Sequence, residues 1–261
     1  SLDLKDGSAI EKLKELVRAA DILVENFRPG VTKRLGVDYE TMREINPRLI
    51  YLSISGFGQD GPLAGKPAFD TVVQAMSGIM ATTGTEGSGP TRVGESIADI
   101  ITGIYGAWAL STALYSRTVN NEGLYLDLAM FDALFASQIT NLSQLIATNS
   151  ASSRVGNRHP TSAPFDSFTA SDGQVIIAAP TKIMFDQLCN LMGQPDLCND
   201  PRFLTETSRM QFEPELKSII EKWTSTHSCA DIIRMCGEAG IPVGPIWDMK
   251  SAAQSKNARD R

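Results

Sequence analysis

The feature that most constrains this chain is how quickly its apolar pattern changes period near the start. Ile10, Leu13, Leu16 and Val17 recur at three-to-four spacing and predict a helix over residues 9–20. Residues 21–25 are a short apolar run closed by the turn sequence Asn26-Phe27-Arg28-Pro29-Gly30, as expected of a buried strand. A second helix is predicted over 39–45, stopping at Asn46-Pro47, and a second strand over 49–55. Helix, strand, helix, strand at such short intervals can close only as parallel α/β structure, because parallel strands need a crossover between them. Further along, helices are predicted over 69–80 and 96–117 around a polar Gly/Thr loop at 82–89, then a strand over 125–130 and a helix over 131–149.

Residues 151–164 carry no periodicity and read as a linker or an active-site loop. Beyond them come a hairpin turning at Ser171-Asp172-Gly173, a strand over 174–179, and helices over 182–192, 214–224 and 230–239. A Gly/Pro-rich stretch at 240–245 then leads into a short tail. The expected organisation is a large domain over 1–150, the linker over 151–164, a small α+β domain over 165–250, and a tail over 251–261 leading back towards the large domain. A domain of this kind ordinarily opens on a strand. This chain opens on a helix and without Met, so segments of the large domain are expected before Ser1.

Composition removes several classes of function. Of 261 residues, 42% are hydrophobic, enough to fold rather than stay disordered. The net charge of −6, with no basic cluster, argues against nucleic acid. Charged residues interrupt every apolar stretch approaching the roughly 18–20 residues of a membrane span, so no membrane is expected. Without a signal-like N-terminus, and with Cys189, Cys198, Cys229 and Cys236 outside any CxxC spacing, the chain reads as cytoplasmic with reduced thiols. His159 and His227 have no second histidine at ligand spacing, so no metal site is expected. There is no G-x-S-x-G elbow. Catalysis then rests on carboxylates, backbone amides or a bound cofactor.

Three groups of residues could carry it. Gly56-Phe57-Gly58-Gln59-Asp60-Gly61 spells G-x-G-x-x-G after a strand, but the irregular Pro62 to Pro67 follows where a dinucleotide site needs a helix N-terminus. The glycines suit close approach of the backbone to a ligand. Asp99 is the one carboxylate in the apolar run 97–108, sharing a helical stripe with Thr102, Gly103 and Gly106. It reads either as a first-turn capping residue or as a desolvated, functional carboxylate. Asp127 falls in a strand, and Asp132 suits a cap. Lys5, Arg28, Lys33 and Arg34 lie near strand ends and turns, and Asn26-Phe27-Arg28 offers amides, an aromatic face and a cation together.

The ordered set Val24-Glu25-Asn26-Phe27-Arg28-Pro29-Gly30, Asn46-Pro47-Arg48, Ser55-Gly56-Phe57-Gly58, Phe69-Asp70, Ala98-Asp99-Ile100, Gly156-Asn157-Arg158-His159-Pro160 and Gly240-Ile241-Pro242-Val243-Gly244-Pro245 resembles the family III coenzyme A transferases (CaiB/BaiF), the group of formyl-CoA and carnitine CoA-transferases. The resemblance implies a Rossmann-like large domain, incomplete at its N-terminus, with a small α+β domain, in an interlocked homodimer. It implies transfer of CoA from an acyl-CoA to a small carboxylic acid, with no metal. Asp99 would be the nucleophile, passing through an aspartyl anhydride and an aspartyl-CoA thioester. Leu2, Lys5, Asn26, Phe27, Arg28 and Arg34 match nucleotide-side positions of the CoA site; Lys66, Phe69 and Asp70 match its pantetheine side, although Pro67 stands where some members carry a basic residue. Gly156 and Asn157 match the loop over the acyl group. The alternatives are an α-methylacyl-CoA racemase-like enzyme, disfavoured because Phe69 stands where those enzymes place a histidine, and a non-catalytic CoA-binding protein. The resemblance also places missing segments before Ser1 and after Arg261.

Overall fold

The computed structural model describes residues 1–261, which divide into two compact units, Ser1–Arg154 and Val155–Arg261. The first is built on three parallel strands, β1 (Ile22–Glu25), β2 (Ile50–Ser55) and β3 (Leu124–Ala129), in that order across the sheet. Their register aligns Ile22 with Ile50 and Leu124, and Glu25 with Ser53 and Asp127. Apolar residues thus enter the sheet together, and a polar row forms near the carboxyl ends. Ile50, Tyr51 and Leu52 are all buried, as expected of a central parallel strand covered on both faces.

Each face has its own cover. On one side Tyr51 joins Val17, Val37, Met42 and Leu49, with the helices Gly7–Val17 and Tyr39–Ile45 packed on them. Asp38 caps the second of these by accepting from Thr41 N. On the other side lies the long helix Ile97–Asn120, whose Gly106 faces Leu52 and Leu128. This helix corrects one expectation: by length and composition it is apolar enough to cross a membrane. Asp99 and Arg117 sit near its two ends, so they leave the apolar stretch between them unbroken.

Two predicted helices are broken, each for a local reason. The one over 69–80 becomes Asp70–Met76 and Ile79–Thr82, because Gly78 adopts a left-handed φ of 93°. The one over 131–149 becomes Met130–Ser137 and Ile139–Thr148. Gln138 leaves helical geometry there, and its amide donates to the Ser77 carbonyl at 2.8 Å. A short helix Val31–Leu35, held between left-handed Gly30 and Gly36, lies between the turn at 26–30 and the helix at 39–45, where no element was expected.

In the second unit β4 (Phe165–Thr169), β5 (Gln174–Ala178) and β6 (Val243–Pro245) form an antiparallel sheet. β6 lies in the Gly/Pro-rich stretch at 240–245, where no strand was expected; Pro245 is accommodated because β6 is an edge strand. The helices Lys182–Leu191, Glu213–Thr224 and Cys229–Glu238 surround a core centred on Phe168, Ile177, Phe185, Leu188, Ile220 and Ile232. Short helical turns at Pro195–Asn199 and Glu206–Gln211 were not foreseen, having too few residues to show a period. Arg209 on the latter is fully buried, donating to the carbonyls of Ala163 and Phe203 with its guanidinium 4.9 Å from the Phe185 ring. The tail forms two further short helices, Met249–Gln254 and Lys256–Asp260, within this unit.

Candidate active site

The carboxyl ends of β1, β2 and β3 open into a cavity of about 530 Å³, where open parallel sheets commonly hold ligands. Its wall takes Asn26, Phe27 and Arg28 from the turn after β1, Ser55 and Gly56 from the end of β2, and Met130 from the end of β3. Lys66 to Phe69 close a second side, and Asp99, Thr102 and Gly103 from the long helix close a third.

The turn after β1 is held by its own side chains. Phe27 N donates to the buried Glu25 carboxylate at 2.7 Å, and the Asn26 amide donates to the Ile54 carbonyl at 2.8 Å. The ends of two strands are thereby tied together, leaving the Phe27 ring and the Arg28 cation on the cavity wall. The glycine loop after β2 is anchored in a similar way: Gly58 N donates to Ser55 Oγ and Gln59 N to the Asp127 carboxylate, each at 2.9 Å. Asp127 thus serves to hold this loop. Gly56 was expected to admit a ligand close to the backbone. It admits Ala68 instead, whose Cβ would lie 2.4 Å from any Cβ at position 56. The glycine lets the 66–69 segment fold against the strand end and form one side of the cavity.

Asp99 lies in the first turn of the long helix, as the capping reading required, but the capping is done elsewhere. The buried Asp70 accepts from Ala98 N at 2.8 Å through one carboxylate oxygen and from the Gln74 amide at 2.6 Å through the other. Gln74 also accepts from Val93 N at 2.9 Å. The Asp99 carboxylate is left for the cavity. Asp99 is exposed to the cavity, and its pKa is raised above the ordinary 3.8, first by partial desolvation and then by the nearby charge of Asp70. The neighbouring hydroxyls are occupied: Thr102 donates to the Ala98 carbonyl at 2.6 Å, and Ser55 accepts from Gly58.

The other expected residues fall as follows. Lys66 and the 82% exposed Phe69 are on the wall. Asp70 faces away from it, bound to the helix start. Leu2 lines an adjoining cavity of about 260 Å³ that shares Phe27 with the first. Lys5 and Arg34 line neither, Arg34 lying on the helix Val31–Leu35. Gly156 and Asn157 belong to the second unit, where Gly156 is left-handed and Asn157 donates to Ser167 at 3.1 Å. His159 stacks on Phe165 in the same loop. Asp132 makes no capping bond, since Ala129 holds the cap position of its helix. Gln74 and the loop-holding Asp127 were missed as members of the site's framework. The Asp70–Gln74 spacing of four on an apolar helix was the available signal for the first.

A parallel α/β sheet with a single carboxylate facing a cavity at its strand ends defines a class of ligand-binding α/β protein. Comparison with known proteins narrows it. The model of CoA-transferase family III matches residues 1–261, and the chain belongs to that family. It is 46% identical over 253 residues to an acetyl-CoA:oxalate CoA-transferase of Acetobacter aceti, covering 97% of this chain and 65% of that protein. It is 37% identical over 247 residues to a succinate–glutarate CoA-transferase of Agrobacterium fabrum, covering 94% and 61%. The crystal structure of a CAIB/BAIF family protein from Brucella suis superimposes with a TM-score of 0.87 at 33% identity, over 100% of this chain and 69% of that one. The chain therefore spans a little under two thirds of the length of these two curated relatives.

Proposed function

We propose that this protein transfers CoA from an acyl-CoA donor to a small carboxylic acid, with Asp99 as the nucleophile. The observation that carries the reading is that Asp99 is the one carboxylate on the cavity wall of a family III chain, with no cysteine or histidine beside it. A serine or threonine nucleophile would need a base, and both hydroxyls present are already engaged with backbone.

In this reading the Asp99 carboxylate attacks the donor's thioester carbonyl, and the CoA thiolate leaves, forming a mixed anhydride. The thiolate then attacks the Asp99 carbonyl carbon of that anhydride and releases the donor's carboxylate, which leaves CoA on Asp99 as a thioester. The acceptor carboxylate attacks this thioester, giving a second anhydride and free thiolate. Attack of the thiolate on the acceptor's carbonyl yields the new acyl-CoA and restores Asp99. No proton need be gained or lost. The raised pKa of Asp99 goes with a more basic carboxylate, and bound acyl-CoA would strip further water from it.

Arg28 and Lys66 are the cations on the wall, suited to CoA phosphate or to a carboxylate acceptor. Phe27 and Leu2, on the adjoining cavity, suit the nucleotide end, with Lys5 and Arg34 as further phosphate contacts. Gly156 and Asn157 are assigned to substrate recognition by resemblance alone. The names of the two relatives point to acetyl or succinyl donors and oxalate or glutarate acceptors. A racemase pairing a histidine with Asp99 finds no histidine on the wall. A second copy of the chain would cover the long helix, where Ile104, Trp108, Tyr115 and Val119 are 64–73% exposed along one face. Four free thiols fit a cytoplasmic setting. The test is a transfer assay with acetyl-CoA or succinyl-CoA against oxalate and glutarate. Asp99→Ala should abolish turnover, and a variant that keeps the parental rate would refute the reading.

A further inference from the structure

Between the helix Asp70–Met76 and the start of the long helix lies a small buried polar network that the chemistry above does not use. Asp70 is 8% exposed and Gln74 0%. One hydrogen bond joins the pair, and three connect it to the chain just before and at the helix start. Asp70 accepts from Ala98 N at 2.8 Å and from the Gln74 amide at 2.6 Å; Gln74 accepts from Val93 N at 2.9 Å and donates to the Glu95 carbonyl at 3.2 Å. Ser96, at the cap position of the long helix, supplies no side-chain cap. The task falls to a residue from another helix, and the amide it holds is that of Ala98, immediately before Asp99.

A buried carboxylate facing one amide donor and one backbone donor is expensive to keep unless the geometry is matched. The same stabilisation could come from a local Ser or Asp cap at lower desolvation cost. What the distant arrangement adds is a fixed relation between the segment that follows the Lys66 to Phe69 wall and the first turn that carries Asp99. We infer that Asp70 and Gln74 are positioning residues, setting where the Asp99 carboxylate stands in the cavity without touching substrate; this rests on the reading of Asp99 as the nucleophile.

The donor–acceptor pattern supplies the test. Asp70→Asn keeps an oxygen for Ala98 N but sets two amide donors against each other. Gln74→Glu sets two carboxylates against each other. The double variant Asp70→Asn/Gln74→Glu restores a donor facing an acceptor between the two positions, because the new amide at 70 donates to the new carboxylate at 74, whose other oxygen still accepts from Val93 N; only the bond to the Glu95 carbonyl stays lost, so recovery is partial. Steady-state kinetics with acetyl-CoA and oxalate, and with succinyl-CoA and glutarate, are read beside amide hydrogen exchange over residues 97–100.

Each single variant is expected to lower kcat by about 10²-fold, the scale of a misplaced reacting group, with KM for the acyl-CoA little changed and exchange at 97–100 faster. The double variant is expected to recover about tenfold or more of the lost kcat and to slow exchange again. Three results would overturn the inference: single variants whose kcat stays within about twofold of the parent, single variants that lower only the melting temperature, or a double variant no better than either single one. Asp99→Ala, run in parallel, separates the two claims. If it transfers CoA at the parental rate the nucleophile reading falls, while the exchange rates at 97–100 still decide whether Asp70 and Gln74 hold this turn.

Discussion

The two units of this chain use their apolar residues differently. Val155–Arg261 gathers them in one continuous core, from Phe168 and Val175 through Phe185, Leu188 and Phe203 to Ile232 and Ile241, and its one buried guanidinium finds its acceptors in that unit's own carbonyls. Ser1–Arg154 divides them between a cluster on each side of the sheet and leaves Ile104, Trp108, Tyr115, Val119 and Ile146 uncovered. It also buries Glu25, Ser53, Ser55, Asp70, Gln74 and Thr102, all near the strand ends or the start of the long helix. The second unit also buries polar groups, Asp166, Ser167, Arg209 and Thr224, but on several elements rather than around one set of strand ends. The cavity and the proposed nucleophile belong to the first unit, where these polar groups hold loops and a helix start around Asp99.

The contrast can be broken at several points. The largest effect belongs to the packed core: Phe185→Ala should cost about 3–5 kcal/mol in a denaturant titration of the second unit's transition. A loss under about 1 kcal/mol would mean that this core is looser than its burial indicates. Next is Gly56→Ala, where the new Cβ meets Ala68 at 2.4 Å. Displacing the 66–69 wall should cost about 1–3 kcal/mol and weaken CoA binding measured by calorimetry; unchanged binding would separate that wall from the site. Trp108→Ala, on the exposed face, should change folding stability by no more than about 0.5 kcal/mol. It should nonetheless shift the association state seen by sedimentation, and an unaltered state would remove this face from the proposed dimer contact.

The smallest effect concerns the proposed nucleophile. Because the Asp99 pKa is raised, the stability this group contributes is present below its ordinary value of 3.8 and is lost as pH rises through the folded value. Asp99→Asn should therefore melt slightly higher than the parent at pH 7, and the difference should shrink as pH falls towards that ordinary value. A lower melting temperature at pH 7 would show that Asp99 serves the fold.

Much of this was legible in the sequence, and where it was not the reason is physical. The parallel α/β start was readable because burial on both faces of β2 forces a continuous apolar run at Ile50 to Leu52. Asp99 stood out because a carboxylate interrupts an apolar stripe of small neighbours. The breaks at Gly78 and Gln138 were not readable, because each depends on a tertiary setting that the apolar period ignores: a left-handed glycine, and a side-chain amide reaching Ser77. Position 70 had been assigned to the CoA site by resemblance alone. Only geometry shows its carboxylate turned to Ala98 and Gln74, since which way a half-apolar helix faces is decided by what packs on it.

The central claim is that Asp99 forms a covalent bond during CoA transfer. Its most direct test is mass spectrometry of the protein incubated with acetyl-CoA or succinyl-CoA, with and without hydroxylamine, followed by sequencing of the peptide that spans residues 97–103. The account predicts a CoA thioester on Asp99 that hydroxylamine converts to the hydroxamate, absent in Asp99→Asn. Turnover without any modification of Asp99, or a modification mapped to another residue, would contradict it.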